Sequence, residues 1–208
     1  MNGKSEKEER LTLELLNAID RQSDVSQRSL ASNMGVALGL ANSYLKRCVR
    51  KGLIKISEAP ANRYLYYLTP QGFAEKSRLT AQYLSTSLTF YRQSAESCTQ
   101  AFHVCADRKW QRVLLCGLSD LAEIALLRGP ESGVEIVGTY DPHTDRRRFF
   151  SKPVWRDLNG APQFDACLLT DLTDPLASYK DLVRKIGKER VLVPGVLGLR
   201  DLGVAVNE

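Results

Sequence analysis

With 208 residues, 43% of them hydrophobic and 25% charged, the chain has an ordinary globular composition and room for one large or two small domains. A formal charge of +5 suits a nucleic-acid partner. No apolar run approaches the ~18 residues of a membrane span and Met1 to Arg10 lacks the apolar core of a signal peptide, so the expectation is a cytoplasmic protein with no membrane partner.

Glu6 to Asp20 carries Leu11, Leu15, Leu16 and Ile19 on one helical face. Ser26 is placed to cap a second helix bearing Leu30, Ala31 and Met34, and Gly35 supplies the tight turn of a helix-turn-helix. A third helix is expected from Ala37 to Lys51. Its inner face would hold Leu38, Ala41, Leu45, Cys48 and Val49, and its outer face Gly39, Asn42, Ser43, Lys46, Arg47 and Arg50, with Gly52 closing it. Leu53 to Ser57 alternates as a strand, Glu58 to Asn62 reads as a turn, and Arg63 to Leu68 returns as a second strand. Helix, helix, turn, helix and hairpin in that order make a winged helix-turn-helix over residues 1–69, whose use is to place the third helix in the major groove of double-stranded DNA. Lys46, Arg47 and Arg50 would neutralise phosphates, Asn42 would read an adenine edge, and Lys55 and Arg63 would bring charge to the flanking backbone. The bland alternative is a solvated basic helix.

The runs Gly35-Val36-Ala37-Leu38-Gly39-Leu40-Ala41-Asn42, Leu45-Lys46 and Lys51-Gly52-Leu53-Ile54-Lys55 resemble MarR-type regulators associated with exopolysaccharide gene clusters. So do Tyr64-Leu65-Tyr66-Tyr67-Leu68-Thr69-Pro70-Gln71-Gly72 and Glu75-Lys76. The resemblance covers about residues 10–100 and implies a winged-helix transcriptional regulator, usually dimeric.

Thr69-Pro70 starts a long helix, expected to act as a dimerising strut over residues 70–105. Leu84, Leu88, Tyr91, Ala95, Cys98 and Phe102 are spaced 4, 3, 4, 3, 4, as in a coiled-coil seam. Packing against the chain's own domains is the competing explanation.

Residues 110–208 read as a small Rossmann-like α/β domain with a doubly wound parallel sheet of four or five strands, giving the whole chain an α/β multidomain class. The run Val113-Leu114-Leu115-Cys116 is a buried parallel strand, and Gly117-Leu118-Ser119-Asp120 turns into a helix to Leu127 that Gly129-Pro130 and Gly133 end. Val134 to Tyr140 is the next strand, closed by Asp141. Pro153-Val154, Phe164 to Thr170 and Val191 to Val193 supply further strands, and Pro175 to Ile186 a helix. Gly117-x-Ser119-x-x-Ala122 is a degenerate dinucleotide fingerprint, with serine at the second glycine. The expected ligand site therefore comprises Gly117, Leu118, Ser119 and Asp120 around a phosphate, Asp141 at a ribose, Thr170 and Asp171 beyond a neighbouring strand, and Arg146 and Arg147 near a second phosphate. The arginine run 146–148 could instead be simply a solvated loop, or could touch DNA.

Val113-Leu114-Leu115-Cys116-Gly117, Glu135-Ile136-Val137-Gly138-Thr139-Tyr140-Asp141 and Pro153-Val154 before Asp157-Leu158 resemble two known domains. These are the nucleotide-sugar-binding domain of bacterial sugar acetyltransferases and the nucleotide-binding fold of sugar dehydratases. The resemblance covers about residues 111–194 and implies a nucleotide-sugar or other nucleotide effector bound without chemistry, because no Tyr-x-x-x-Lys pair follows. Neither histidine, His103 nor His143, sits in a catalytic or metal-ligating pattern, and the five cysteines contain no C-x-x-C pair and read as buried apolar side chains. The sequence thus reads as a homodimeric transcriptional regulator with a nucleotide-sensing domain. An NAD-dependent or nucleotide-sugar enzyme fused to a DNA-binding module is the alternative.

Overall fold

The computed structural model describes residues 3–60 and 63–205, with the side chains of residues 3–5, 59, 63 and 202 outside that description. The chain forms two compact units, Met1–Leu88 and Thr89–Glu208.

The first unit contains helices α1 (Gly3–Arg21), α2 (Gln27–Asn33) and α3 (Leu38–Arg50), a hairpin of β1 (Ile54–Ala59) and β2 (Arg63–Leu68), and the start of α4 (Pro70–Asp107). The Ser26 side chain caps α2 by accepting from the Ser29 N–H at 3.1 Å. Gly35 makes the turn into α3 at φ 60°, a left-handed conformation that costs glycine least. The hairpin pairs antiparallel from Ile54↔Leu68 to Ala59↔Arg63. At its base Thr69 caps α4, its hydroxyl donating to the Gly52 carbonyl at 2.6 Å and accepting from the Gly72 N–H at 3.0 Å. A side chain at Gly72 would collide with the Leu53 carbonyl, so the cap depends on glycine there. Leu11, Leu15, Leu16 and Ile19 of α1 bury themselves against Leu30, Leu45, Cys48, Tyr66 and Leu79. Full burial of each large apolar side chain is worth ~1.5–3 kcal/mol, enough for the unit to have its own core.

The second unit holds β3 (Arg112–Cys116), α5 (Asp120–Glu131), β4 (Glu135–Tyr140), β5 (Arg148–Phe149), β6 (Lys152–Trp155), β7 (Ala166–Leu169), α6 (Pro175–Ile186) and β8 (Val191–Leu192). Its six-stranded sheet has the order β5-β6-β4-β3-β7-β8, parallel except for the edge strand β5. From β3 the chain winds outward to β4 and β6, then returns to the other side for β7 and β8. The order therefore reverses between β3 and β7, the place where open α/β sheets hold ligands. Alternation along β3 sends Val113 and Leu115 to one face and Leu114 and Cys116 to the other. The first face is covered by α5 and by Ala95, Cys98 and Phe102 of α4, and the second by α6 through Leu182.

Four expectations change. The long helix is not a separate strut: the division between units falls inside α4, and its apolar seam splits. Ala95, Cys98 and Phe102 are core residues of the second unit, whereas Leu84, Leu88 and Tyr91 are exposed. The α5 helix runs through Gly129-Pro130 to Glu131, because a proline in the last turn forfeits one bond only and the Ser132 and Val134 N–H groups still meet the carbonyls of Arg128 and Gly129. The sheet has six strands, the extra one being the two-residue β5. Leu38, expected inside, lies at the first turn of α3 and is exposed.

Candidate functional site

On α3 the buried row is Ala41, Leu45 and Cys48. Opposite it Gly39, Ser43, Lys46 and Arg50 recur at steps of four, three and four, and all are exposed. Lys46 and Arg50 hold no ion pair among the described residues. The wing adds exposed Lys55, whose cross-strand neighbour is Tyr67, together with exposed Tyr64. The Arg63 side chain lies outside the described residues.

Two expected DNA contacts are not on this surface. Arg47 sits on the flank of α3 that faces α1, where Glu8 accepts from its guanidinium at 3.0 Å. It lines a cavity of about 540 Å³ together with Lys51, Glu75 and Arg78. Asn42 occupies the opposite flank, half-buried, and its side-chain oxygen is buried without a hydrogen-bond partner. A bidentate adenine contact requires both amide atoms at the surface, so Asn42 is not placed for it. The inner/outer division of a helix wheel is too coarse for positions about 100° from the buried row, where a neighbouring helix decides.

In the second unit a cavity of about 560 Å³ opens at the carboxyl ends of β3, β4 and β7. Gly117, Leu118, Asp141 and Asp171 line it, as the sequence suggested. Tyr140, His143, Asp174, Ser178, Asp181 and Lys185 line it too, and the sequence reading missed them. The four on α6 and its approach carried no local signal, because only the crossover after β7 brings that helix beside the end of β4. Arg146 and Arg147 do not line the cavity.

The phosphate geometry is also different. Gly117 donates its N–H to the Tyr140 carbonyl at 2.9 Å, and its lack of a side chain serves the approach of Asp171, whose Cα would stand 2.6 Å from an added Cβ. Leu118 donates its N–H to the Asp141 carboxylate at 3.1 Å, and the same carboxylate accepts from the His143 N–H at 2.9 Å. The anion position over this loop is thus taken by the protein's own carboxylate. Ser119 acts as N-cap of α5, accepting from the Ala122 N–H at 3.2 Å and donating to the Thr170 carbonyl. Thr170 is buried and its hydroxyl lies at 2.9 and 2.8 Å from the carbonyls of Cys116 and Gly117, while Asp120 is exposed in the first turn of α5. Ser119 and Thr170 therefore brace the crevice, and neither they nor Asp120 line it.

The crevice floor holds a polar pin. Lys185 donates to the Tyr140 hydroxyl and pairs with Asp181 at 2.7 Å, and Asp181 also accepts from Tyr140 at 3.3 Å. Burial pushes the Tyr140 phenol above its ordinary pKa despite the neighbouring ammonium. Burial opposes ionisation of Asp181 as well, but hydrogen bonds from Lys185 and Arg184 outweigh it and lower its pKa. Asp141, Asp171, Asp174 and Asp181 against Lys185 leave the crevice acidic.

Residues 8–55 match the family of winged helix-turn-helix DNA-binding domains. The first unit has the winged helix-turn-helix fold. Among solved structures, PcaV, a transcriptional regulator from Streptomyces coelicolor seen with its natural ligand, is 23% identical over 38% of this chain and 57% of its own, with a TM-score of 0.36. MepR, a regulator of the Staphylococcus aureus multidrug efflux pump MepA, is 21% identical over 42% and 63%, with a TM-score of 0.36. Both alignments leave more than a third of the other protein unmatched. Human N-acetylserotonin methyltransferase with SAM aligns over 98% of this chain and 82% of its own at 12% identity and a TM-score of 0.38. No curated protein matches the sequence. Among the described residues no helix is long and apolar enough to cross a membrane.

Proposed function

We propose that the protein is a homodimeric transcriptional regulator that acts in the cytoplasm, reads duplex DNA through α3 and the wing, and senses a small molecule in the crevice of the α/β unit. The observation that carries the DNA reading is the exposed stripe Gly39, Ser43, Lys46 and Arg50 on the third helix of a winged helix. Small residues at 39 and 43 let the helix approach base edges, and Lys46 and Arg50, without an ion pair among the described residues, sit where phosphates would flank it. Dimerisation matches the exposed face Leu84, Leu88 and Tyr91 of α4, since a helix-turn-helix reader gains affinity from two half-sites.

The resemblance to nucleotide-sugar-binding domains makes a nucleotide or nucleotide sugar the effector to try first, and surface polysaccharide genes the regulon to examine. Such a ligand would set its sugar hydroxyls, and not a phosphate, against Asp141, because a carboxylate accepts from hydroxyls and repels a phosphate. A direct test is selection of a binding sequence from a randomised duplex library. Lys46→Ala with Arg50→Ala should then weaken binding to the selected duplex by tenfold or more, about 1.4 kcal/mol or above. Unchanged affinity would remove α3 from the interface.

The second reading, an enzyme fused to a DNA-binding module, draws on the Tyr140–Lys185 pair in the crevice. The regulator stands first because the exposed basic stripe lies on the third helix of a winged helix. Turnover of NAD or a nucleotide sugar by the purified protein would reverse this order.

A further inference from the structure

The β5–β6 hairpin plays no part in the crevice, and its composition is unlike the rest of the chain. Residues 144–156 carry Arg146, Arg147, Arg148, Lys152 and Arg156 against one acid, Asp145, a charge of +4 in a chain whose total is +5. Asp145 pairs with Arg156 at 2.9 Å with both side chains largely in solvent, so the pair neutralises little. Arg148 folds back to the Ser151 carbonyl at 2.8 Å. The guanidinium groups of Arg146 and Arg147 are exposed and have no partner among the described residues.

Beside them stands Phe150. The register Arg148↔Pro153 and Phe149↔Lys152 leaves Phe150 and Ser151 as a two-residue turn, where glycine, asparagine or aspartate is the relaxed choice. Phe150 instead adopts φ 51°, an outlier for a bulky residue. The residue is 62% exposed, the highest value among the large exposed hydrophobic residues described. It is nonetheless held in place, edge-on to Phe149 at 4.9 Å, and Phe149 packs on the core of its unit. The edge-on contact with Phe149 is what folding gains from a bulky residue in that conformation and that exposure, whereas a ligand contact would use the exposed ring.

We propose that this hairpin is a second contact for duplex DNA, in which Arg146 and Arg147 take backbone phosphates and Phe150 lays its ring in the adjacent groove against sugar and base edges. Guanidinium forks match phosphate geometry bidentately, and apolar wedges beside basic side chains are a recurring way to hold a groove. The polyanion fits better than a lipid surface, because a single ring among five cations offers no apolar face to insert. A DNA-binding domain on the same chain raises the effective concentration of duplex at the hairpin, so a weak contact there contributes to overall affinity.

The test uses the full-length protein and fluorescence anisotropy with unrelated duplexes across a salt series. Arg146→Gln with Arg147→Gln should lower affinity for every duplex alike. The double variant should also reduce the slope of log affinity against log salt by about 1.8, so that the affinity lost between about 50 and about 200 mM salt shrinks by about tenfold. Phe150→Asn suits the turn conformation, so it should keep or raise thermal stability while weakening DNA binding several-fold. In a Lys46→Ala, Arg50→Ala background the same slope change should persist, which separates the hairpin from the α3 surface. An unchanged slope and affinity in the Arg146→Gln, Arg147→Gln protein would overturn the proposal. So would loss of binding to phosphatidylglycerol vesicles with DNA affinity intact, which would assign the hairpin to a membrane surface.

Discussion

Asp165 illustrates how one side chain can fix the start of a sheet. Its carboxylate accepts from the N–H groups of Gln111 at 2.8 Å and Arg112 at 2.9 Å, tying the entrance of β3 to that of β7. Those two backbone hydrogen bonds, the Arg112 one first, hold its pKa below the usual carboxylate range. A depressed folded-state pKa means the unfolded chain binds the proton more readily. The contribution is therefore complete above the ordinary value of ~3.9 and is lost as pH falls through the lower, folded one. Asp165→Ala should cost about 1–3 kcal/mol at neutral pH by urea denaturation and flatten the acid limb of the stability curve below about pH 4. An unaltered acid limb would show that the tie contributes nothing. Single residues were unevenly legible in the sequence. Gly35 declared its turn, because no other residue is as cheap there. Gly117 declared itself too, but for a different neighbour: it admits the Asp171 backbone and not a phosphate. Arg47 and Asn42 looked like surface residues, since nothing in a local window marks Glu8 as a partner 39 residues away.

Elements were read more surely than their surroundings. The first three helices, the wing and the central strands follow from apolar periodicity and capping residues, and each formed close to its expected bounds. What periodicity cannot supply is the identity of the surface that covers a face. The seam on α4 keeps one spacing from Leu84 to Phe102, yet Ala95, Cys98 and Phe102 lie against the chain's own sheet and Leu84, Leu88 and Tyr91 lie open. The two halves should accordingly respond to different measurements. Leu84→Lys with Leu88→Lys should yield monomers in sedimentation at micromolar concentration, with little change in unfolding free energy per chain. Phe102→Ala should cost ~3–5 kcal/mol in denaturation of the second unit, because it empties a fully buried site, while leaving the assembly state alone. Monomeric wild-type protein at that concentration would remove the dimer from the proposed function. The short β5 and the extension of α5 past Pro130 escaped the sequence for a related reason. Each depends on a few hydrogen bonds at an element's end, where propensity is weakest.

For the whole molecule the question is whether the crevice and the proposed DNA-binding surface are thermodynamically linked. A ligand changes DNA affinity only by the ratio of its affinities for the DNA-bound and free proteins, and the linkage is reciprocal. Asp141 is the residue through which to test this, since it lines the crevice and simultaneously holds the Leu118 and His143 N–H groups. A sugar hydroxyl donating to that carboxylate would share its oxygens with both N–H groups, which take two of its roughly four acceptor sites. Calorimetry against nucleotide sugars, NAD and coenzyme A should reveal one binder in the micromolar range, about 8 kcal/mol, and DNA titrations with and without it should give a ratio well away from one. The same ratio must appear when the ligand is titrated into protein with and without DNA. Asp141→Asn keeps an oxygen for Leu118 but removes the charge, so it should abolish the ligand's effect on DNA affinity and leave ligand-free DNA binding within about twofold. If Asp141→Asn instead damages ligand-free DNA binding, its carboxylate is a structural tie needed for the fold. If a ligand binds the wild-type crevice equally well with and without DNA, the crevice is occupied but is not a sensor, and the α/β unit has a role separate from the winged helix.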